Sequence, residues 1–198
     1  VRKNMPGVKT IDAIDNPASP VASDCDIWVP VLGRFDDRLA DIHQHVRSGG
    51  EAWFYTCVFP QGRYLNRFID YPLLKTRLLQ WFNFRHDLTG YLHWGGNFWD
   101  TDPYQNTEVI INAGQDLLPP GDAFITYPWR EKNSIRSSIR LETMRDGIED
   151  YELLRAAEAK DPARAHQIAE EAVPNITDYV RDVATFRRLQ QALLAAAE

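Results

Sequence analysis

The feature that most constrains the fold is an alternation of four short apolar segments with helical patterns. The apolar segments are rich in Val, Ile, Trp, Phe and Tyr, which suit a pleated, buried surface. They cover residues 8–14, 26–32, 52–58 and 90–94. Helical spacing of apolar residues follows Asp36 and Pro72, both suited to the start of a helix. Strands that alternate with helices are typical of a parallel sheet with right-handed crossovers, so the sequence predicts an α/β fold.

The number of strands limits the architecture. A complete eightfold β/α barrel takes roughly 250 residues, whereas this chain has 198 residues and only four predicted β/α units before its helical end. Four parallel strands can form half of a barrel or a small open sheet. Either arrangement leaves strand edges with unpaired backbone groups, which predicts self-association through open sheet edges.

The segment after the fourth strand breaks the alternation. Residues 108–112 and 123–127 look extended, and a Pro-Pro-Gly turn at residues 119–121 lies between them. We therefore predict an elaborated loop or a hairpin over residues 107–129.

The carboxy-terminal end of the chain is helical in pattern. A long amphipathic helix covers residues 141–155, Asp161 with the following proline opens a second helix, and Asn175 is the candidate cap of a third. We interpret the charged group on the first of these helices as a structural charge network; its members are Glu142, Arg145, Glu149 and Asp150. The predicted division is a β/α region over residues 1–136 and helices packed on it over residues 137–198.

Composition and motifs exclude several classes of function. The formal net charge of -6 and the pI near 5.4 argue against a nucleic-acid or anionic-membrane surface. No apolar run approaches the roughly 20 residues that span a bilayer. His43 and His45 lie on different faces of a predicted helix, and the cysteines lack the spacing of metal ligands. We predict no metal, no cofactor, no nucleic-acid partner and no membrane association.

The candidate binding site lies where the third and fourth strands end, because ligands of parallel β/α folds meet the carboxyl ends of strands. These two segments are crowded with aromatic, amide and guanidinium groups, a combination that suits sugars. The predicted substrate-binding residues are Tyr55, Arg63, Trp94, Asn97 and Trp99. Trp and Tyr residues on a strand are also common packing residues, and for Trp94 both interpretations stay open.

Catalytic candidates are few. Asp100 lies at the aromatic-rich end of the fourth strand with Asp102 two residues on, and it is the candidate that position favours. His93 could act as a base, but strand alternation points it away from Trp94 and favours a buried histidine with satisfied hydrogen bonds.

Two stretches of the sequence carry a family resemblance. Residues 53–100 contain Tyr-Thr-Cys and Gly-Tyr-Leu-x-Trp-Gly elements, and residues 137–157 contain Arg-Asp-Gly-x-Glu-Asp-Tyr. In combination they resemble the family called domain of unknown function 4091, which looks like the catalytic barrel region of glycoside hydrolase family 123. That family contains β-N-acetylgalactosaminidases. The resemblance implies the carboxy-terminal half of a TIM-type (β/α)8 barrel followed by a helical tail.

The resemblance also implies an activity. Family 123 enzymes hydrolyse β-linked N-acetylhexosaminides with retention, assisted by the acetamido group of the substrate, and they use an adjacent Asp-Glu pair. No Asp-Glu dipeptide occurs in these 198 residues. We therefore expect this chain to supply sugar-subsite residues to a parent glycosidase and to be inactive alone; the alternative is a non-catalytic carbohydrate-binding or structural module. The sequence sets no localisation, although parents that degrade polysaccharides are commonly secreted or periplasmic.

Overall fold

The computed structural model describes residues 4–111 and 116–198. Four short strands form one parallel sheet in the chain order β1-β2-β3-β4. They are β1 (Ile11–Asp12), β2 (Ile27–Trp28), β3 (Glu51–Tyr55) and β4 (Gly90–Leu92). The predicted α/β fold with four parallel strands is confirmed, and each strand is shorter than the apolar segment that predicted it.

Five α-helices accompany the sheet in the described part of the chain. They are α1 (Phe35–Arg47), α2 (Leu73–Arg85), α3 (Ile139–Lys160), α4 (Pro162–Ala172) and α5 (Val183–Ala197). Helix α1 connects β2 to β3, and α2 connects β3 to β4, as crossovers between parallel strands require. Within the described residues, no helix combines the length and apolar character needed to cross a membrane.

The start of the last helix differs from the sequence prediction. Asp182 is the N-cap of α5, because its carboxylate accepts a hydrogen bond from the Thr185 backbone N–H at 2.7 Å. The Asn175 side chain instead accepts from the backbone N–H groups of Thr177 and Asp178 and closes a local turn. The predicted cap at Asn175 was therefore wrong. The predicted cap at Asp161 was right, because its carboxylate accepts from the Arg164 N–H.

The region after β4 forms two hairpins, and the two predicted extended segments do not pair with each other across the Pro-Pro-Gly turn. Strand β5 (Val109–Ile111) pairs with β6 (Asp116–Leu118), which precedes that turn. Strand β7 (Tyr127–Trp129) pairs with β8 (Ser134–Arg136). Asn112, the last residue of the first predicted extended segment, lies outside the described residues.

The two faces of the parallel sheet have different surroundings. Phe54 is fully buried on the outer face, where its ring contacts Phe82 of α2 with centroids 4.9 Å apart. The same apolar core continues through α2 into α3, α4 and α5. Trp53 and Tyr55 point to the opposite face by strand alternation and are only half-buried. The helices thus cover the outer face of the sheet, and its inner face remains open.

Helices α2 and α3 pack closely because of the Arg-Asp-Gly-x-Glu-Asp-Tyr motif. A side chain at Gly147 would place its Cβ 2.5 Å from the Arg77 carbonyl oxygen. The buried Asp150 carboxylate accepts from Arg77 Nε at 2.6 Å and from the Trp81 indole at 2.9 Å. Arg77 also pairs with Asp146, which in turn pairs with Arg145, so Asp150 and Arg145 belong to one connected charge network. Arg145 extends this network to Glu142 and Glu149 on the surface of α3.

Candidate functional site

An open cavity of about 540 Å³ lies on the inner face of the sheet, at the carboxyl ends of the strands. Residues from all four parallel strands or the loops that follow them line it, together with Leu118 of β6. Its walls are mostly apolar: Ile11, Ala13, Val29, Tyr55, Leu92 and Trp94. The cavity therefore occupies the position in which parallel β/α folds bind ligands.

Trp94 is the most prominent side chain of this cavity. It is 44% exposed, yet its indole N–H donates a 2.8 Å hydrogen bond to Oδ2 of Asp122, a residue that is fully buried. The bond fixes the orientation of the ring while its face stays accessible. Phe98 lies beside it, with ring centroids 5.6 Å apart. A large aromatic face held open to solvent is suited to stacking against an apolar sugar face.

His93 and Arg67 surround the same carboxylate. The Arg67 guanidinium donates to His93 Nδ1 at 2.6 Å, so Nδ1 must be an acceptor and the proton of a neutral ring is on Nε2. His93 Nε2 lies 3.3 Å from Asp122 Oδ1. Burial lowers the pKa of His93 to about 4, more than the adjacent carboxylate raises it. His93 is therefore a neutral, buried positioning residue, as predicted. It nevertheless lies against the same carboxylate as Trp94, and its Nε2 forms no hydrogen bond of good geometry in the described part of the chain.

The floor of the site is held together by guanidinium bonds to backbone carbonyls. Arg67 donates to the Gly95 carbonyl, and Arg140 of α3 donates to the carbonyls of Arg67, Gly121 and Phe124 at 2.7–2.8 Å. Both arginines are almost completely buried. The strand β4 end, the Asp122 turn and α3 thus form one rigid support for Trp94.

The two glycines after Trp94 have different roles. A Cβ at Gly95 would lie 2.5 Å from the Ala123 carbonyl oxygen, so Gly95 allows two backbone segments to approach. Gly96 has open space where a side chain would be. Only Gly96 leaves room beside Trp94.

The structure brings Tyr55 and Trp94 together in the cavity and places the other predicted site residues elsewhere. Trp99 packs against the small apolar cluster around Phe124, and its indole donates to the Thr126 carbonyl. Asn97 forms an antiparallel bridge with Phe124. Arg63 lines a different pocket, and neither it nor the exposed Asp100 lines the cavity. Burial raises the pKa of the Tyr55 phenol, which keeps it neutral and able to donate a hydrogen bond.

Sequence reasoning missed Asp122 and Arg67. Neither lies at the end of a predicted strand, and each is of a residue type that is common in loops. The signal that could have found Asp122 is its position directly after the Pro-Pro-Gly turn, where the chain returns toward β4. The importance of both residues depends on burial, which only the tertiary structure provides.

Among the residues that the structure describes, one group of side chains has the ligand types of a metal site. Ligand atoms of Asp87, Glu158 and His166 lie close together, near the amino-terminal end of β4 and away from the cavity. Glu158 already pairs with Arg155 at 2.6 Å and with His166 at 3.0 Å. These two basic groups explain the arrangement without a metal ion.

Comparison with known proteins decides the family. The model of the glycoside hydrolase 123 catalytic domain matches residues 1–157. The chain belongs to glycoside hydrolase family 123. The predicted resemblance is thereby confirmed, and the glycoside hydrolase-like character of the domain with it.

A solved family 123 glycoside hydrolase from Clostridium perfringens has the same fold. The TM-score is 0.72 at 18% sequence identity, and the match covers 96% of this chain and 36% of that chain. That structure was analysed for glycolipid glycan hydrolysis. This chain thus spans about a third of the length of its family 123 neighbour, as a partial barrel. A comparison with curated proteins finds no match.

Proposed function

We propose that this chain forms the amino-sugar subsite of a family 123 glycosidase that hydrolyses β-linked N-acetylhexosaminides of the N-acetylgalactosamine type. The observation that supports the proposal is Trp94: an aromatic ring 44% exposed in the cavity, with its indole N–H held by the buried Asp122. Tyr55 supplies a neutral hydroxyl on the same cavity. Asn97, Trp99 and Arg63 remain predicted contributors from the surrounding loops.

The proposed chemistry is substrate-assisted hydrolysis with retention. The acetamido oxygen attacks the anomeric carbon as the glycosidic bond breaks, and the leaving oxygen takes a proton from a general acid. Water then attacks the anomeric carbon and opens the cyclic intermediate, and the same group, now a base, takes a proton from that water. The Asp-Glu pair for these steps is absent from this sequence, so we assign it to another part of the parent protein. Trp94 and Tyr55 would hold the sugar against that pair.

The second candidate is a carbohydrate-binding or structural module without catalysis. The observation in its favour is the same missing Asp-Glu pair, together with the exposed position of Asp100 outside the cavity. The glycosidase subsite and the carbohydrate-binding module both require sugar binding at Trp94, whereas a purely structural module does not. They differ in whether added catalytic residues can restore turnover.

Replacing Trp94 tests the proposed subsite. We expect Trp94→Ala to weaken binding of methyl N-acetyl-β-galactosaminide at least tenfold, which corresponds to about 1.4 kcal/mol, because the stacking surface is lost. Saturation-transfer NMR and isothermal titration measure the affinity. Trp129→Ala is the matched control, because Trp129 also donates its indole N–H to a carboxylate, that of Glu131, and lines a different pocket.

The fold must be monitored in the same experiment. A half-exposed platform should tolerate truncation, whereas a core aromatic would cost about 3–5 kcal/mol. Equal affinity of Trp94→Ala and wild type, or unfolding of the variant by that larger amount, would contradict the sugar-platform role.

An activity assay tests the assignment of the Asp-Glu pair. We expect the purified chain to leave aryl N-acetyl-β-galactosaminides and N-acetyl-β-glucosaminides unhydrolysed above background, because general acid catalysis alone contributes about 10²–10⁴-fold. Turnover that survives removal of host glycosidases and disappears in Asp100→Asn would show that the chain carries its own acid.

A further inference from the structure

A second pocket lies outside the sheet, at the first turn of α2. Its volume is about 260 Å³, which suits a small group rather than a drug-sized molecule. The loop at residues 62–63, the start of α2 and the segment at residues 179–181 before α5 form its walls. None of its lining residues belongs to the cavity that contains Trp94.

Three cationic side chains line this pocket: Arg63, Lys75 and Arg181. Lys75 is only 7% exposed, and its ammonium donates to the Gly62 carbonyl at 2.5 Å and lies 3.6 Å from the centre of the Tyr71 ring. A carbonyl and a ring face leave ammonium N–H capacity free, because the group has three donors. The positive charge of the buried Lys75 ammonium is therefore only partly compensated.

No carboxylate neutralises these cations within residues 4–111 and 116–198, since none of the three forms an ion pair there. Asp182 follows Arg181 in sequence, but its carboxylate is held by the Thr185 N–H and hydroxyl as the cap of α5. Burial and the positive charge of Arg181 lower the pKa of Lys75 to about 8. The chain as a whole is acidic, with a formal net charge of -6, so the positive charge of this pocket is a local feature.

The start of α2 adds to the positive potential. The first N–H groups of an α-helix have no acceptor inside the helix, and the helix dipole places partial positive charge at this end. Helix α2 has 13 residues, and its first turn contributes Leu74 and Lys75 to the pocket wall. The Lys75 N–H bonds to the Pro72 carbonyl, so the contribution of this helix end to the pocket is its dipole. Two guanidiniums and an ammonium thus line one small pocket at the positive end of α2.

We propose that this pocket binds a compact oxyanion, a sulfate or phosphate group, either free or carried on a glycan. Guanidinium groups match the tetrahedral oxygens of such anions with paired hydrogen bonds, and the ammonium supplies a point charge. The phenol of Tyr179, whose pKa is raised by burial, is a further neutral donor. Leu74 and Tyr179 also offer apolar surface to whatever carries the anion.

The loop between β3 and α2 borders both sites. Cys57 and Val58 line the cavity with Trp94, and Gly62 and Arg63 line the oxyanion pocket. A glycan substituent is therefore one source of the anion, and a free ion is the other. The oxyanion proposal itself does not depend on sugar binding at Trp94.

The experiment is an NMR titration of ¹⁵N-labelled protein with sodium sulfate, against sodium chloride at matched ionic strength. We expect saturable shifts of the amide signals around residues 62–63, 73–75 and 179–181. Arg63→Gln and Arg181→Gln, both at exposed positions, should each weaken sulfate binding at least tenfold. Arg187→Gln is the control, because it removes the same charge from the exposed surface of α5 outside the pocket.

The outcomes separate the possibilities. N-acetylgalactosamine 6-sulfate that binds more tightly than inorganic sulfate supports a glycan-borne anion, and equal affinity supports a free ion. Shifts that do not saturate, or an equal loss in Arg187→Gln, overturn the proposal in favour of general charge attraction. Sulfate binding should persist in Trp94→Ala, so failure of the sugar subsite and failure of this pocket are distinguishable.

Discussion

At the scale of single residues, the site depends on one buried carboxylate. Asp122 orients the Trp94 indole and lies beside His93, and its charge also acts on the buried guanidiniums of Arg67 and Arg140. A buried charge is tolerated only when it is paired and hydrogen-bonded. The open face of Trp94 is thus supported by a buried polar cluster behind it, in which Asp122 Oδ2 is hydrogen-bonded and, among the described residues, Asp122 Oδ1 is not.

Buried neutral histidines predict how stability depends on pH. Burial lowers the pKa of both His86 and His93 from 6.5 to about 4. Below pH 6.5 the unfolded chain takes up protons that the folded chain does not bind, so the free energy of unfolding falls as the pH falls toward 4. We expect a loss of about 2 kcal/mol for each histidine between pH 7 and pH 5, measured by urea unfolding.

A single substitution isolates the contribution of His86. Its ring packs between Phe35 and Phe82, so His86→Phe keeps the ring contacts and removes the titrating group. The variant should lose about half as much stability as wild type over the same pH range. The carboxylate of Glu51, whose pKa its hydrogen bonds with Lys9 and other groups lower to about 2, changes stability only at lower pH and does not interfere. Equal pH dependence of the two proteins would contradict the prediction.

At the scale of elements, the contact between α2 and α3 explains the most specific motif of the sequence. Gly147 allows the two helix backbones to approach, Asp150 binds Arg77 and Trp81 of α2, and the Tyr151 hydroxyl donates to the Leu88 carbonyl. The motif therefore fixes one helix against another rather than contacting the cavity. Arg140 lies on the same helix and donates to the Gly121 carbonyl, so α3 also supports the site around Trp94.

We expect Gly147→Ala to destabilise the protein, although alanine has the higher helix propensity. The new methyl group would lie 2.5 Å from the Arg77 carbonyl oxygen, and a shift of two packed helices costs about 1–3 kcal/mol, against about 1 kcal/mol gained in propensity. Urea unfolding of the variant measures the difference.

Gly96→Ala is the control for this substitution, because no heavy atom beyond its chain neighbours lies within 4 Å of the position that its Cβ would take. Its free energy of unfolding should stay within about 0.5 kcal/mol of wild type. A Gly147→Ala variant more stable than wild type would show that the helices separate at no cost.

At the scale of the whole molecule, the open inner face predicts self-association. In the described part of the chain, the outer edges of β1 and β4 have no pairing strand, and Ile11 is 45% exposed on the first of them. The carboxy-terminal helices pack on α2, on the outer side of the sheet, and do not line the cavity. Unpaired edges beside an apolar face favour pairing with another chain. We expect dimers or larger species at micromolar concentration, measured by sedimentation.

A charged substitution at the edge should shift this equilibrium. Ile11→Lys should favour the monomer at least tenfold, because a lysine on an edge strand opposes strand pairing. Ile135→Lys is the matched control, since Ile135 is 57% exposed on the β7–β8 hairpin. A wild-type protein that sediments as a monomer at micromolar concentration would contradict the exposed-edge inference.

Much of the fold was accessible from the sequence, because it depends on local patterns. Strand and helix periodicity located β1–β4 and the long helix after residue 137, and Asp161 acts locally as a cap. The sequence could not select between local choices that were equivalent. Residues 108–112 can pair with any extended neighbour, and Asn175 and Asp182 are both good cap residues, so only the surrounding packing selects between them. The division at residue 136 stays a prediction, and the apolar core crosses it.

The sequence by itself determined the α/β class, the parallel order of strands, the family and the position of Trp94 and Tyr55 at strand ends. The fold class and the strand ends follow from periodicity along the chain, and the family follows from the resemblance of its motifs, which the family model confirms. Only the tertiary structure decided that Asp122 and Arg67 support Trp94, that Trp99 packs against Phe124, and that Arg63 faces a second pocket with Lys75 and Arg181. The reason is that burial, desolvation and the convergence of charges arise from residues distant in sequence, and no local pattern encodes them.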